Sequence, residues 1–142
     1  MRIGRSTLAG TLFLASVGLA LVPAGATATS AAAIPAAARE SGTLGCSQLE
    51  ALWEEAGGSP AAAFTAAEVA MAESGGRENA VNVNTNGSVD EGYWQINNQA
   101  HPGQATYDPL GNARAAMAIS GDGTDWTPWV TYDHGAENGQ CR

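Results

Sequence analysis

The sequence ESGGRENAVNVNTNGSVDEGYWQIN, residues 73–97, contains the features that decide the fold. Glu73 closes an apolar, alanine-rich run with helical spacing, and Asp90 follows seventeen positions later, just past an Asn86-Gly87 turn signal. A helix end that faces a small hairpin can bring two carboxyl groups together across a cleft. Most glycosidases cleave the glycosidic bond with two such groups in unlike environments. The stretch therefore predicts a helix, a hairpin and a carboxyl pair between them.

Glu73 is the stronger catalytic candidate of the two. A carboxyl group in the last turn of an apolar helix is partly buried and lies at the negative end of the helix dipole, and both effects raise its pKa. A raised pKa suits a general acid that works near neutral pH. The alternative for Glu73 is a solvated residue at a helix end. The alternative for Asp90 is a turn residue whose carboxylate accepts hydrogen bonds from backbone N–H groups.

Several motifs in this stretch resemble those of the lysozymes: the Glu-Ser pair, the spacing to Asp90, NVNTNGSVD (82–90) and GYWQIN (92–97). Farther along, DPLGNARAA (108–116) and WTPWVTY (126–132) look like elements of bacterial transglycosylase SLT-like domains. The resemblance runs from about Cys46 to Gly135. The chain departs from the family pattern at Tyr93, where Leu or Ile is usual, and at Arg77-Glu78, where Asn-Pro is common.

The resemblance implies an α+β fold, mainly helical, with a small antiparallel hairpin sheet that forms one wall of the cleft. It implies a secreted, cofactor-free enzyme that cleaves the β-1,4 bond between N-acetylmuramic acid and N-acetylglucosamine in peptidoglycan. Glu73 would be the general acid and Asp90 the second carboxylate. Soluble lytic transglycosylases and goose-type lysozymes work with the Glu alone, so transglycosylation is the first alternative. A non-catalytic glycan-binding module on the same fold is the second.

Retaining hydrolysis makes a geometric demand on the pair. The two carboxyl groups of a retaining glycosidase are about 5 to 5.5 Å apart, so we expect Asp90 to face Glu73 across the cleft. The hairpin register must then turn Val89 away from the sugar, because a slip of one residue reverses the faces of a strand. If Asp90 instead capped the Asn86-Gly87 turn, Glu73 would act alone.

Other residues are candidates for binding the glycan. Amide side chains on the hairpin could bind sugar hydroxyls and N-acetyl groups, and we name Asn82, Asn84, Gln95 and Asn97. The resemblance adds Ser74 and Tyr132, which the family places near the catalytic Glu. Trp129, like Trp94 and Trp126, could stack on sugar rings. The alternatives are hydrogen bonding within the sheet for the amides, a helix-end role for Ser74, and core packing for the aromatic residues.

The first part of the chain reads as a targeting segment. A basic start, an apolar run from Leu8 to Val22 and a small-residue site predict a signal peptide over residues 1–26, with cleavage at 28 as an alternative. Residues 27–43 are rich in Ala, Thr and Ser and predict a flexible leader. The catalytic domain is expected over residues 44–142. We expect a secreted, extracellular monomer with no membrane attachment in the mature form.

Cysteine placement and charge set further bounds. Cys46 and Cys141 lie at the two ends of the domain, and in a secreted chain they should pair, with Cα atoms closer than about 7 Å. All fourteen acidic residues lie after Thr27, against four arginines and no lysine, a net charge of −10. Such a surface offers no basic patch that could neutralise the phosphates of a nucleic acid, so nucleic acid is not an expected partner. It also argues against electrostatic steering onto an anionic cell wall. His101 and His134 are too isolated to predict a metal site.

Local signals predict the remaining elements. Residues 47–55 are expected to form a helix capped by Ser47, and a second helix should begin at Ser59-Pro60 and end at Gly75-Gly76. The second helix should bury a stripe that includes Phe64, Ala67 and Met71. Residues 79–97 predict two or three antiparallel strands. A third helix is expected from Pro109 or Asn112 to Gly121, followed by an aromatic tail that packs near the cleft.

Overall fold

The computed structural model describes residues 42–142 of the 142-residue chain. The predicted signal peptide and all but the last two residues of the predicted leader lie outside the described residues. The elements follow in the order α1 (Cys46–Glu55), α2 (Pro60–Ser74), β1 (Val81–Val83), β2 (Val89–Glu91), β3 (Ile96–Asn97), α3 (Pro109–Ser120) and α4 (Val130–Asp133). This mainly helical α+β architecture confirms the predicted fold class.

Helix α2 begins and ends at its sequence signals, and this places Glu73. The Ser59 hydroxyl accepts a hydrogen bond from the Ala61 N–H at 3.3 Å, and Pro60 occupies the first turn. At the other end Gly75 adopts the left-handed conformation, and its N–H donates to the Met71 carbonyl. Glu73 consequently lies in the last turn of the helix, as predicted.

The buried face of α2 is made of alanines, which allow close packing against α1. The helix buries Ala63, Ala66, Ala67, Val69 and Ala70, and its strongest packing partner is α1. Phe64 was expected in the buried stripe, and this prediction is wrong: its side chain is 41% exposed. The buried alanines define a face that lies to one side of Phe64. The large aromatic residues of the core come from other elements.

The start of α1 also differs from the prediction. The helix begins at Cys46, and the residue before it is Gly45, whose N–H donates to Oε1 of Gln48 at 2.8 Å. Ser47 lies inside the first turn and does not cap the helix. A glutamine three residues into the helix satisfies the same orphan N–H that a capping box would satisfy. The third helix keeps its predicted start, because Asp108 accepts from the Gly111 N–H at 2.7 Å.

The three strands form one antiparallel sheet in the order β1-β2-β3. Asn82 pairs with Asp90 across β1 and β2, and Asp90 pairs with Asn97 across β2 and β3. Residues paired directly across a sheet project to the same face. The register therefore aligns one carboxylate with a carboxamide on either side.

A buried asparagine fixes this sheet to α3. Asn112 is fully buried; its Oδ1 accepts from the Trp94 N–H, and its Nδ2 donates to the carbonyls of Glu91 and Thr106, all at 2.9 Å. Gly92, with φ at +80°, passes so close that a Cβ there would lie 2.5 Å from Nδ2 of Asn112. Only glycine accommodates both the conformation and the approach. The hairpin is thus held in a set position relative to the helices.

The predicted disulfide between Cys46 and Cys141 is present, with the Cα atoms 5.6 Å apart. It ties the end of the chain to the first residue of α1. Closing a loop of this length contributes up to about 4 to 5 kcal/mol to the free energy of unfolding by the chain-entropy estimate. Within residues 42–142 no helix has the length and apolar character needed to cross a membrane.

Candidate active site

A cleft of about 570 Å³ separates the sheet from the helical part of the domain. Its sheet side is polar and its helical side is mostly apolar. The sheet side and the loop after it contribute Asn84, Thr85, Asn86, Ser88, Asp90, Gln95, Ile96, Asn97, Ala100 and His101, and the opposite side contributes Glu73, Ile119, Pro128, Trp129, Val130 and Thr131. The two predicted catalytic carboxyl groups line the same cleft.

Glu73 is half-buried against the helical side. Burial raises the pKa of its carboxyl above the ordinary 4.5, a hydrogen bond from Thr131 lowers it, and the negative charge of Asp90 raises it further. The Thr131 Oγ1 donates to Oε1 of Glu73 at 2.5 Å. Because burial is the largest of these effects, the net shift is upward. The direction is the one that a general acid needs.

Asp90 occupies the middle of β2, and its carboxylate is held by three carboxamide groups. Oδ2 accepts from Nδ2 of Asn82 and of Asn84, each at 3.0 Å. Oδ1 accepts from Nδ2 of Asn97 at 2.6 Å. These bonds join Asp90 to side chains, so it does not cap the Asn86-Gly87 turn. Val89 and Glu91 do not line the cleft, in agreement with the expected register.

The buried hydroxyl of Ser88 connects this amide network. Its Oγ accepts from Nδ2 of Asn84 at 3.0 Å and from Nδ2 of Asn97 at 2.9 Å, and donates to Oδ1 of Asn86 at 2.8 Å. Each of the two shared amide groups therefore bonds to both Ser88 and Asp90. The Asn97 Oδ1 is in turn fixed by the N–H groups of Gln99 and Ala100. Asp90 is consequently held in one orientation from both neighbouring strands.

Gln95 lines the cleft, and its backbone adopts a conformation that residues other than glycine rarely adopt. Its φ of +48° lies in the left-handed region, which costs a non-glycine residue about 1 kcal/mol or more. Its Nε2 donates to the carbonyls of Ala80 at 3.0 Å and Gly92 at 2.9 Å. Both amide protons are therefore used within the protein. The side-chain carbonyl is the part of Gln95 that remains for a ligand.

The sequence model of a family described as a lysozyme-like domain matches residues 50–131, more than half of the chain. The chain belongs to this lysozyme-like family. No curated protein and no solved structure was found to match it. The matched range includes Glu73, the whole sheet and Thr131, so every side chain that hydrogen-bonds to the two carboxyl groups lies within it.

The tryptophans of this lysozyme-like domain are mainly core residues. Trp94 is fully buried and donates its indole N–H to the Ala66 carbonyl at 2.9 Å. Trp126 is also buried, and its ring lies between those of Trp53 and Trp129. Neither can stack on a sugar. Trp129 is buried as well, yet it lines the cleft. Its indole N–H donates to the Trp94 carbonyl at 2.8 Å. It offers the cleft an apolar wall.

Two residues suggested by family resemblance lie elsewhere in this lysozyme-like domain. Ser74 is buried; its hydroxyl donates to the Ala70 carbonyl at 2.8 Å and accepts from the Gly76 N–H at 3.1 Å. It closes the helix and does not line the cleft. Tyr132 is exposed and also does not line the cleft. The neighbouring residue Thr131 contacts Glu73 in its place, because α4 turns that side chain inward.

The amide residues take up two positions. Asn84, Gln95 and Asn97 line the cleft, whereas Asn82 contacts Asp90 from the exposed outer strand.

Sequence reasoning did not identify Thr131, Ser88 or His101 as site residues. Ser88 had a signal in the Gly-Ser-x-Asp motif, since a hydroxyl two residues before Asp90 shares its face. Among the described residues no group of three or more metal-binding side chains is found.

Proposed function

We propose that the protein is a peptidoglycan-cleaving glycosidase that hydrolyses the β-1,4 bond between N-acetylmuramic acid and N-acetylglucosamine. The observation that carries the proposal is the pair of carboxyl groups in one cleft. Glu73 is half-buried with a raised pKa, and Asp90 accepts three amide hydrogen bonds. Unlike environments assign unlike roles to two carboxyl groups.

In this proposal Glu73 is the general acid. It gives its proton to the glycosidic oxygen as the bond to the anomeric carbon breaks. The apolar wall of Trp129, Val130 and Ile119 limits the access of water to its carboxyl, and this burial raises its pKa, so the group retains its proton more readily than an exposed carboxyl. Asp90 attacks the anomeric carbon or stabilises the positive charge that develops there. Water then enters from the cleft, and Glu73 removes its proton.

Lytic transglycosylation is the alternative that uses Glu73 alone. In that reaction the 6-hydroxyl of the same muramoyl residue captures the intermediate in place of water. The position of Asp90 favours hydrolysis, because its carboxylate lines the cleft and does not cap a turn. Three amide donors hold this carboxylate in one orientation, and a preorganised negative charge in the cleft can stabilise the positive charge that develops at the anomeric carbon.

Wall digestion separates the candidates. Purified peptidoglycan should lose turbidity with the wild type and not with Glu73→Gln. Mass analysis of the released muropeptides should then find reducing ends, and NMR at early times should find the β-anomer expected of a retaining enzyme. Release of 1,6-anhydro ends would establish transglycosylation. Binding to walls without release of fragments would establish a glycan-binding module.

We further propose that the protein works outside the cytoplasm. The amino-terminal pattern of the sequence supports secretion, and the Cys46–Cys141 disulfide requires an oxidising compartment. Detection of the mature chain in culture medium, with its first residue at position 27 or 29, would test this proposal. Retention of residues 1–26 in the mature protein would contradict it.

A further inference from the structure

Glu73 has a hydrogen-bonding partner that neither the sequence motifs nor the family pattern indicated. The Thr131 hydroxyl donates to Oε1 of Glu73 at 2.5 Å. No other hydrogen bond to this carboxyl is found within residues 42–142. A carboxyl group has two oxygens, and a donor at one of them leaves the other as the place for the proton.

The backbone around Thr131 fixes the direction of that hydroxyl. Trp129, two residues earlier, is anchored in the core through its indole N–H on the Trp94 carbonyl. The Thr131 carbonyl accepts from the Ala136 N–H at 2.8 Å, which closes the turn after α4. The contact with Glu73 therefore depends on a segment that is held on both sides of Thr131.

We propose that Thr131 is a positioning residue, which holds Oε1 of Glu73 and thereby assigns the transferable proton to Oε2. This inference rests on the proposed function, in which Glu73 protonates the leaving oxygen. When the proton moves from Oε2 to the glycosidic oxygen, the anomeric C–O bond breaks and the leaving sugar departs as an alcohol. Glu73 is then a carboxylate, and the bond from Thr131 becomes charge-assisted and stronger.

A bond that strengthens as the proton leaves stabilises the transition state more than the ground state, and only such interactions raise kcat. The same donor also favours the charged form of the carboxyl, so it lowers the pKa of Glu73 against the larger upward effect of burial. Thr131 thus limits how firmly the acid retains its proton. An acid whose pKa lies too high protonates a leaving group less effectively at a given pH.

Few other ionisable groups surround this contact. Asp90 and His101 are the other titratable residues among those that line the cleft. The titratable residues that follow Thr131 on and after α4 are the exposed Tyr132, Asp133 and His134, the buried Glu137, and Arg142, which pairs with the buried Glu68 of α2. Arg77 and Glu78 follow the end of α2. These groups are unchanged in a Thr131 variant, so a shift in the pH profile would report on the hydroxyl.

The test compares Thr131→Val, which removes the hydroxyl but keeps the shape, with Thr131→Ser, which keeps the hydroxyl. Wall digestion is measured from acidic to alkaline pH. In Thr131→Val we expect kcat to fall about tenfold, as for loss of one hydrogen bond to a charged group, and the alkaline limb to move to higher pH. Thr131→Ser should keep the wild-type profile. Thr127→Val, the same substitution on an exposed turn outside the cleft, is the matched control.

A titration of the Glu73 carboxyl by carbon NMR needs no substrate and separates the two proposals. Its pKa should be higher in Thr131→Val than in the wild type, even if the protein releases no muropeptides and the proposed function fails. Thr131→Ala replaces the valine variant if that variant does not fold. An unchanged pH profile together with an unchanged Glu73 titration would overturn the proposal and leave Thr131 a packing residue.

Discussion

Asp90 and Glu73 line one cleft, yet the two walls that hold them differ in chemistry. The sheet wall surrounds Asp90 with amide donors organised by Ser88. The helical wall surrounds Glu73 with Trp129, Val130 and Ile119 and supplies a single hydroxyl. The same functional group can therefore serve as an acid or as a stabilising anion, depending on whether its neighbours are apolar or hydrogen-bond donors.

The largest expected effect comes from removing the acid on the helical wall. Glu73→Gln should lower the rate of wall digestion by roughly 10²- to 10⁴-fold, the range that general acid catalysis contributes. The amide can accept the Thr131 bond, so the fold should be retained. Turbidity loss of purified walls measures the rate, and Glu50→Gln on α1 is the control. A Glu73→Gln variant with nearly full activity would refute the role of this wall.

Neutralising the carboxylate on the sheet wall should have the next largest effect. Asp90→Asn should lower hydrolysis by about 10²-fold, because a charge directed at the developing positive centre is lost. Glu91→Gln, the next residue of the same strand, does not line the cleft and should keep wild-type activity. If Asp90→Asn retained its rate and released 1,6-anhydro ends, Glu73 would be acting alone.

Loosening the sheet wall without touching its charge should have a smaller effect. Ser88→Ala removes the hydroxyl that accepts from the two Asn side chains that also bind Asp90. We expect kcat to fall by about tenfold while KM changes little. The half-buried amides of Asn84 and Asn97 lose a partner, and the free energy of unfolding should fall by about 1 kcal/mol. Denaturant unfolding and wall digestion measure the two effects, with Ser47→Ala on α1 as control. A loss of stability with full kcat would show that Asp90 does not need this fixation.

The two walls should also differ in how charge affects stability. Burial raises the pKa of Glu73 in the folded state, so its carboxylate destabilises the fold. Below the ordinary pKa of 4.5 the group is protonated in both states and costs nothing. As pH rises through the folded-state pKa, the wild type should become less stable relative to Glu73→Gln. Thermal unfolding of both proteins from pH 4 to pH 8 would measure this, and a constant difference would contradict it.

Local signals predicted much of this molecule correctly. Ser59-Pro60 and Gly75 bound α2 because capping and left-handed glycine are short-range effects. The Asn86-Gly87 turn and the strand spacing predicted a hairpin with Asp90 on the inner face. The disulfide followed from two cysteines in a chain predicted to be secreted. The helix ends and the hairpin depend on a few neighbouring residues, and the disulfide depends on the chain having only two cysteines, so all three can be predicted from the sequence.

Features that depend on packing between distant segments were not predictable in the same way. Phe64 and the buried alanines carry equally apolar signals, and only the approach of α1 decides which face is buried. Thr131 and Tyr132 are adjacent on a four-residue helix, so a small rotation decides which one meets Glu73. The resemblance to the family predicted Tyr132 as the residue near Glu73. The contact between Thr131 and Glu73 could be predicted only if the position of the segment that carries Thr131 relative to α2 were known.

The most direct test of the contrast between the walls is a carbon NMR titration of the Glu73 carboxyl in the wild type and in Asp90→Asn. We expect the wild-type group to titrate above 4.5 because it is buried. In Asp90→Asn its pKa should fall while remaining above that value, since the negative charge across the cleft is removed and the burial persists. A wild-type Glu73 that titrates at or below 4.5 would contradict its assignment as the general acid.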